Sequence, residues 1–265
     1  MRVGDYELAA NLSLLFTEHD YLDRFAAARA AGFTAVESWW PFPTAAPDAA
    51  ETDALCRAVD AAGVRLAGLN FFAGDMAAGQ RGVLSDPGRR GEFQQSLSVI
   101  ATVHERTGCP VFNALYGTRL PDVSRHEQDA CALDNLRAAV AVLPASATVV
   151  LEALTIGENG DYPLTTCAEA LAVADAVGPR VALLFDTYHL TNNGEDLLAR
   201  IGTYGDRIGH VQFADSPGRH EPGTGSVDFA AVLAALSTAG YGGLVAAEYR
   251  PEGGTVDGLG WVPTA

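Results

Sequence analysis

Short apolar runs recur along the chain, each closed or interrupted by a polar residue. Glu7 to Leu12 carries Asn11 near its end, Phe33 to Val36 ends in Glu37, Val64 to Leu69 ends in Asn70, and Val111 to Leu115 contains Asn113. Thr148 to Leu151 ends in Glu152 and Val181 to Phe185 in Asp186. Ile208 to Phe213 is interrupted by Gln212, and Gly243 to Ala247 ends in Glu248. Short apolar runs bounded by turn residues read as buried strands. Between them, apolar residues at helical spacing predict helices over Tyr21 to Ala31, Asp48 to Ala62, Gly88 to Thr107, Arg125 to Leu143, Thr166 to Val177, Gly194 to Gly202 and Val227 to Ala239. Three of these stop at Gly32, Gly63 and Gly108, where a left-handed residue can end a helix.

Strands that alternate with helices imply a parallel sheet with right-handed crossovers. Eight such units in a chain of 265 residues predict an α/β fold, a (β/α)8 TIM barrel occupying residues 1–265 as a single domain. A doubly wound open sheet fits less well, because no G-x-G-x-x-G follows the first strand. The tail after Glu248 is short, so the eighth helix is expected to be stunted or absent.

Composition narrows the chemistry. All 17 basic residues are arginine. With no lysine, a Schiff-base aldolase, a pyridoxal phosphate enzyme and a P-loop nucleotidase are excluded. A formal net charge of −16 argues against a nucleic-acid partner, which needs a basic footprint. It also means that an anionic substrate needs local help from an arginine or a metal. Cys56, Cys109, Cys131 and Cys167 form no CxxC pair and read as reduced, buried thiols of a cytoplasmic protein. No signal peptide and no membrane-length apolar run is recognised, so no membrane partner is expected. The sequence leaves open whether copies assemble into a homo-oligomer.

In a barrel, the C-terminal strand ends line one open face. Glu152, Asp186, Gln212 and Glu248 would converge there from the fifth to eighth strands. Singly, each acid is compatible with an exposed strand-end carboxylate; at matching positions on consecutive strands they form an all-oxygen set. Such a set favours Mg2+ or Mn2+ over softer metals, and without a cation its carboxylates would raise each other's pKa. His189, three residues after Asp186, could bond a substrate oxygen. Arg219 lies just past Gln212 and could fork onto a substrate carboxylate. Glu37 reads as a weaker candidate on the far side of the barrel. Trp39, Trp40, Phe42, Phe71 and Phe72 read as rim packing able to wall off a small pocket. His19, His104, His126 and His210 show no metal-ligand spacing.

Several segments together resemble the hydroxypyruvate isomerase family of the xylose isomerase-like barrel superfamily. They are AANLSLLFTE (Ala9 to Glu18), GLNFFAGDMAAGQRG (Gly68 to Gly82), VLEAL (Val150 to Leu154), FDTYH (Phe185 to His189), HVQFADSPGRHEPGTG (His210 to Gly225) and EYRPEGGTVDGLGW (Glu248 to Trp261). The resemblance implies a metal held by Glu152, Asp186, Gln212 and Glu248, with Glu152 and Glu248 shuttling a proton. The family also contains isomerases of 2-oxo-tetronates; the expected substrate is a small 2-oxo or hydroxy acid, with His189 and Arg219, from their positions, as its contacts. The expected reaction interconverts hydroxypyruvate and tartronate semialdehyde; a 2-oxo-tetronate isomerase and a ketose 3-epimerase are the alternatives. The chain departs from the family pattern in its longer N-terminus and its WWPFP loop.

Overall fold

The apolar runs close into one ring in the computed structural model, which describes residues 1–263. A two-residue strand, β1 (Arg2–Val3), pairs antiparallel with β2 (Tyr6–Asn11) and was not foreseen. From β2 the sheet runs parallel and in chain order: β3 (Ala35–Ser38), β4 (Arg65–Asn70), β5 (Val111–Asn113), β6 (Thr148–Glu152), β7 (Val181–Asp186), β8 (Ile208–Phe213) and β9 (Val245–Ala247). Pairing of β2 with β9 closes the barrel, with Ala9 opposite Ala246.

The outer layer is α1 (Arg24–Ala30), α2 (Ala49–Ala62), α3 (Arg90–Thr107), α4 (Arg125–Val142), α5 (Cys167–Val177), α6 (Thr187–Asn192), α7 (Leu197–Tyr204) and α8 (Phe229–Thr238). Side-chain caps start most of them. Asp48 with Glu51, and Thr166 with Glu169, each make a reciprocal capping box. Such a cap contributes about 1 kcal/mol. The predicted helix over Gly194 to Gly202 is α7, shifted to Leu197–Tyr204, and the short α6 before it was not predicted. Helix α6 is too short to show a hydrophobic period, and it forms because Asp186 caps it directly off strand β7. After β9 the tail makes only a 3-10 turn, Asp257–Leu259, so no full eighth crossover helix forms there.

Alternation along each strand divides the side chains. Leu8 and Ala10 of β2 join the main core between sheet and helices, with Phe25, Leu55, Ile100, Leu136 and Phe185. Inside the ring, Ala9, Ala35, Ala67 and Ala246 pack as a separate small cluster. Fully burying a side chain such as Phe112 stabilises the fold by about 1.5–3 kcal/mol. The tail is tied back over the first strand: Glu18 accepts from Thr255 N at 2.6 Å, and Thr255 Oγ1 accepts from Phe16 N at 2.7 Å. All four cysteines are free and buried. No described helix is long and apolar enough to cross a membrane.

Candidate active site

Every strand of the ring delivers at least one buried polar residue at or next to its C-terminal end. In order these are Asn11, Glu37, Asn70, Asn113, Glu152, Asp186, Gln212 and Glu248. The sequence reading assigned the last four to the site and left the three asparagines without a role. It also placed Glu37 on the far side of the barrel, as a weaker candidate. Closure through β2 and β9 puts β3 only two strands from β9, so Glu37 belongs to the same cluster. Glu37 Oε1 accepts from Gln212 Nε2 at 2.8 Å and from Asn11 Nδ2 at 2.8 Å. Its other oxygen meets His210 Nε2, a histidine to which the sequence reading gave no role.

The two expected proton shuttles have different surroundings. Glu152 Oε2 accepts from Asn113 Nδ2 at 2.8 Å, and its Oε1 lies 3.6 Å from His189 Nε2. Glu248 Oε1 accepts from Arg219 Nη2 at 2.8 Å and from Trp39 Nε1 at 3.1 Å. Asn11 Nδ2 also reaches Glu248 Oε2, at 3.1 Å. Trp39 therefore touches a candidate acid directly, beyond the rim-packing role expected of its cluster. Asp186 spends Oδ1 on capping α6, accepting from Tyr188 N at 2.7 Å and His189 N at 3.1 Å. That cap aims His189 back at Glu152.

His189 has a defined tautomer. Its Nδ1 accepts from the backbone N–H of Thr155 at 3.1 Å, and an amide N–H can only donate. The ring proton of the neutral imidazole is therefore on Nε2, the atom facing Glu152. Burial pushes the His189 pKa well below the usual histidine range, and the cations Arg219 and Arg81 push the same way. His189 is a neutral hydrogen-bond donor.

Arg219 sits in a rigid loop. Its φ is +59°, and its N–H bonds Asp215 O at 3.1 Å. The buried Asp215 carboxylate accepts from Ser216 N at 2.8 Å, Gly223 N at 2.8 Å and Val227 N at 3.0 Å, which folds the loop around it. The guanidinium lies 5.4 Å from the Tyr188 ring centroid, and its Nη2 is 3.6 Å from Asp186 Oδ2.

Crowding and burial set the proton balance. Burial raises Glu152 to about 8; the Asp186 charge adds to this and Arg219 opposes it. Burial also raises Glu248 well above the usual carboxylate range, against the pull of Arg219. Asp186 is raised by burial too. Glu37 goes the other way: burial opposes its charge, but His210, Gln212 and Asn11 together hold it below the usual range. One carboxyl, Glu37, thus holds its charge more readily beside three that retain protons more readily, an arrangement suited to proton transfer.

The residues also fit a hard divalent cation. Asp186 Oδ2 and Gln212 Oε1 are buried oxygens with no hydrogen-bond partner among the described residues. Glu152, Asp186 and His189 each bring a ligand atom within 4.8 Å of the others. His189 is the poor member of that trio. Ligation through Nε2 would move the ring proton to Nδ1, against the Thr155 N–H. Oxygen donors remain, and they suit Mg2+ or Mn2+. The cavity above these groups is lined by Trp39, Asn70, Arg81, Asn159 and Arg250 together with Glu152, His189, Arg219 and Glu248. Arg81 had no place in the sequence reading, because it lies in a long loop with no periodic signal.

The chain belongs to the xylose isomerase-like TIM barrel family, whose model matches residues 25–265. Among its relatives, a Streptomyces coelicolor protein provisionally named as a hydroxypyruvate isomerase is 45% identical, the match covering 99% of this chain and 98% of that one. The 2-oxo-tetronate isomerase of Cupriavidus necator is 35% identical, over 96% of each chain. The hydroxypyruvate isomerase of Escherichia coli is 31% identical, over 96% of this chain and 97% of its own. Among solved structures, one titled as a family 2 AP endonuclease from Brucella melitensis superposes with a TM-score of 0.88, at 31% identity and 97% coverage of each chain. An Escherichia coli 3-keto-D-glucoside 4-epimerase shares the fold, with a TM-score of 0.77, 21% identity and coverage of 97% of this chain and 98% of its own.

Proposed function

We propose that this chain is an isomerase interconverting hydroxypyruvate and tartronate semialdehyde. The observation that carries the reading is the facing pair Glu152 and Glu248, both buried and both raised in pKa, in one cavity with a neutral His189 donor. Near-full-length relatives named for hydroxypyruvate isomerase support the choice of substrate.

The reaction moves hydrogen between adjacent carbons. One glutamate takes a proton from the hydroxymethyl carbon beside the carbonyl, leaving an enediolate. The other returns a proton to the former carbonyl carbon; the hydroxyl oxygen on the first carbon becomes the aldehyde oxygen as its proton passes to the former carbonyl oxygen, which ends as the hydroxyl. Carboxyl groups whose proton affinity is raised by burial suit both roles and supply roughly 10²–10⁴ in rate. His189 Nε2–H donates to the developing oxyanion, and Arg219 orients Glu248 while facing the substrate. A Mg2+ or Mn2+ held by oxygens of Glu152, Asp186, Gln212 and Glu248 would draw negative charge onto the substrate oxygens. The four unpaired, buried thiols favour a reducing compartment, which we take to be the cytoplasm. A second reading, a 2-oxo-tetronate as substrate, is favoured by the Cupriavidus necator relative and keeps the same proton chemistry.

Glu152→Gln and Glu248→Gln should each lower kcat on hydroxypyruvate by at least about 10²-fold while the far-ultraviolet dichroism stays unchanged. In D2O the wild type should place one solvent deuteron on the product carbon. A folded Glu248→Gln protein with near wild-type turnover would remove that residue from the mechanism. Exchange at C3 of fructose or tagatose, with neither acid turned over, would replace the isomerase by an epimerase.

A further inference from the structure

We infer that Arg81, on the loop between β4 and α3, is the receptor for the substrate carboxylate and so decides for acids over neutral sugars. The inference rests on the acid-isomerase reading above. Arg219 is the other deep cation, but Glu248 at 2.8 Å and Asp186 at 3.6 Å already balance its charge. Arg81 has no such partner: no described carboxylate pairs with it. Its Nε donates to Asn159 Oδ1 at 2.8 Å, and its Nη1 donates to Gln80 O at 2.8 Å and Met76 O at 3.1 Å. All three acceptors are neutral. Nη2 makes no hydrogen bond within the described residues, and the side chain lines the same cavity as Glu152, His189 and Glu248. In a chain with net charge −16, a half-buried guanidinium held only by neutral oxygens lacks a counter-ion.

The loop holds that guanidinium in place from several sides. Arg81 O accepts from Gly117 N at 3.0 Å. The next residue, Gly82, has φ +109°, and a Cβ there would come within 2.0 Å of Leu115 O. Only glycine allows so close an approach to the neighbouring loop. Gln80 Oε1 accepts from Asp75 N at 2.7 Å and from Arg89 Nη1 at 2.8 Å, which stiffens the approach to Arg81. Across the cavity, the Arg81 charge is felt at both Glu152 and His189. A carboxylate on the Arg81 side leaves the adjacent carbonyl toward the two glutamates, as a 2-oxo acid requires. A ketohexose offers Arg81 only hydroxyl groups, which pair less strongly with a guanidinium.

The test uses Arg81→Gln and Arg81→Lys in the Mn2+-loaded enzyme. Steady-state kinetics on hydroxypyruvate are measured beside inhibition by tartronate, Mn2+ affinity by electron paramagnetic resonance, and thermal stability. Arg81→Gln should raise KM, and weaken tartronate, by about 10- to 10²-fold, with kcat within about threefold. Arg81→Lys, which keeps the charge and loses the fork, should recover part of that loss. Mn2+ affinity and Tm should hold in both variants, which a loop collapse would not allow. Acid turnover by the wild type, with KM and tartronate inhibition unchanged in Arg81→Gln, would overturn the Arg81 assignment alone. A wild type that turns over ketohexoses and neither acid would overturn the reading beneath it, and the assignment with it.

Discussion

Three side chains converge on the Glu37 carboxylate, and through two of them it reaches the chemistry. By accepting from Gln212 Nε2 it leaves Gln212 Oε1 as the free amide end, and by accepting from Asn11 it steers a donor onto Glu248. Glu37→Gln adds a third amide beside Gln212 and Asn11 and removes the charge facing His210. It should weaken Mn2+ binding by about 10- to 10²-fold, the usual effect of disturbing the groups that orient ligands, and paramagnetic titration measures this. The raised pKa of Glu152 gives a second expectation at this scale. The folded protein holds that proton up to about pH 8, whereas the unfolded chain releases it near 4.5. Between those values the folded state binds more protons, so stability present at low pH is lost as pH rises. In metal-free protein Tm should therefore fall from pH 5 to pH 8, and Glu152→Gln should flatten part of that fall. An unchanged slope would mean that Glu152 ionises normally. Glu152, Asp186, Gln212 and Glu248 stood out in the sequence because each ends an apolar run or interrupts one near its end. Glu37 ends one equally well, but its partners lie 26 to 175 residues away in sequence, and only ring closure brings them together.

At the scale of elements, strands announced themselves by continuous apolar character and the long helices by their period. Helix α6 did neither, since one Asp186 oxygen suffices to start it and no hydrophobic stripe is needed over so few residues. The loop from Asp215 to Gly225 shows how an irregular segment gains rigidity. A single carboxylate collects three backbone N–H groups and holds Arg219 in the left-handed region. An amide at that position offers one accepting oxygen in place of two. Asp215→Asn should cost about 1–3 kcal/mol in urea unfolding, the penalty for leaving buried donors unpaired. It should also lower kcat/KM by loosening Arg219. A variant as stable and as active as wild type would show that the loop holds itself together by other means.

Across the whole molecule, the two ends of the chain meet. Strands β2 and β9 pair side by side, and the Glu18, Thr255 and Phe16 bonds carry that contact past the strands. The last strand of the ring completes the first. Glu18→Ala, at a largely exposed position, should lower Tm by a few degrees without altering the secondary structure. The Thr255 backbone N–H holds the Glu18 carboxyl below its usual range, so its contribution is present above the ordinary glutamate pKa and fades as the solution is acidified. The wild-type advantage in Tm should accordingly shrink toward pH 3. A constant difference from pH 3 to pH 7 would detach the effect from the carboxylate.

The cluster of Ala9, Ala35, Ala67 and Ala246 has a consequence for depth. Barrel interiors of this size are usually filled with branched side chains, which fix the floor of the chamber high. Four methyl groups occupy far less of that cross-section. Glu37 and His210 lie beside Gly68, at a point where even a methyl group would be in contact with the Glu37 side chain. The chamber floor is thus a polar shelf resting on a thin aliphatic one, and its height is a volume that sequence can tune. An added pair of methyl groups at Ala35 or Ala246 would lift the shelf toward the acids and shorten the room left for a substrate.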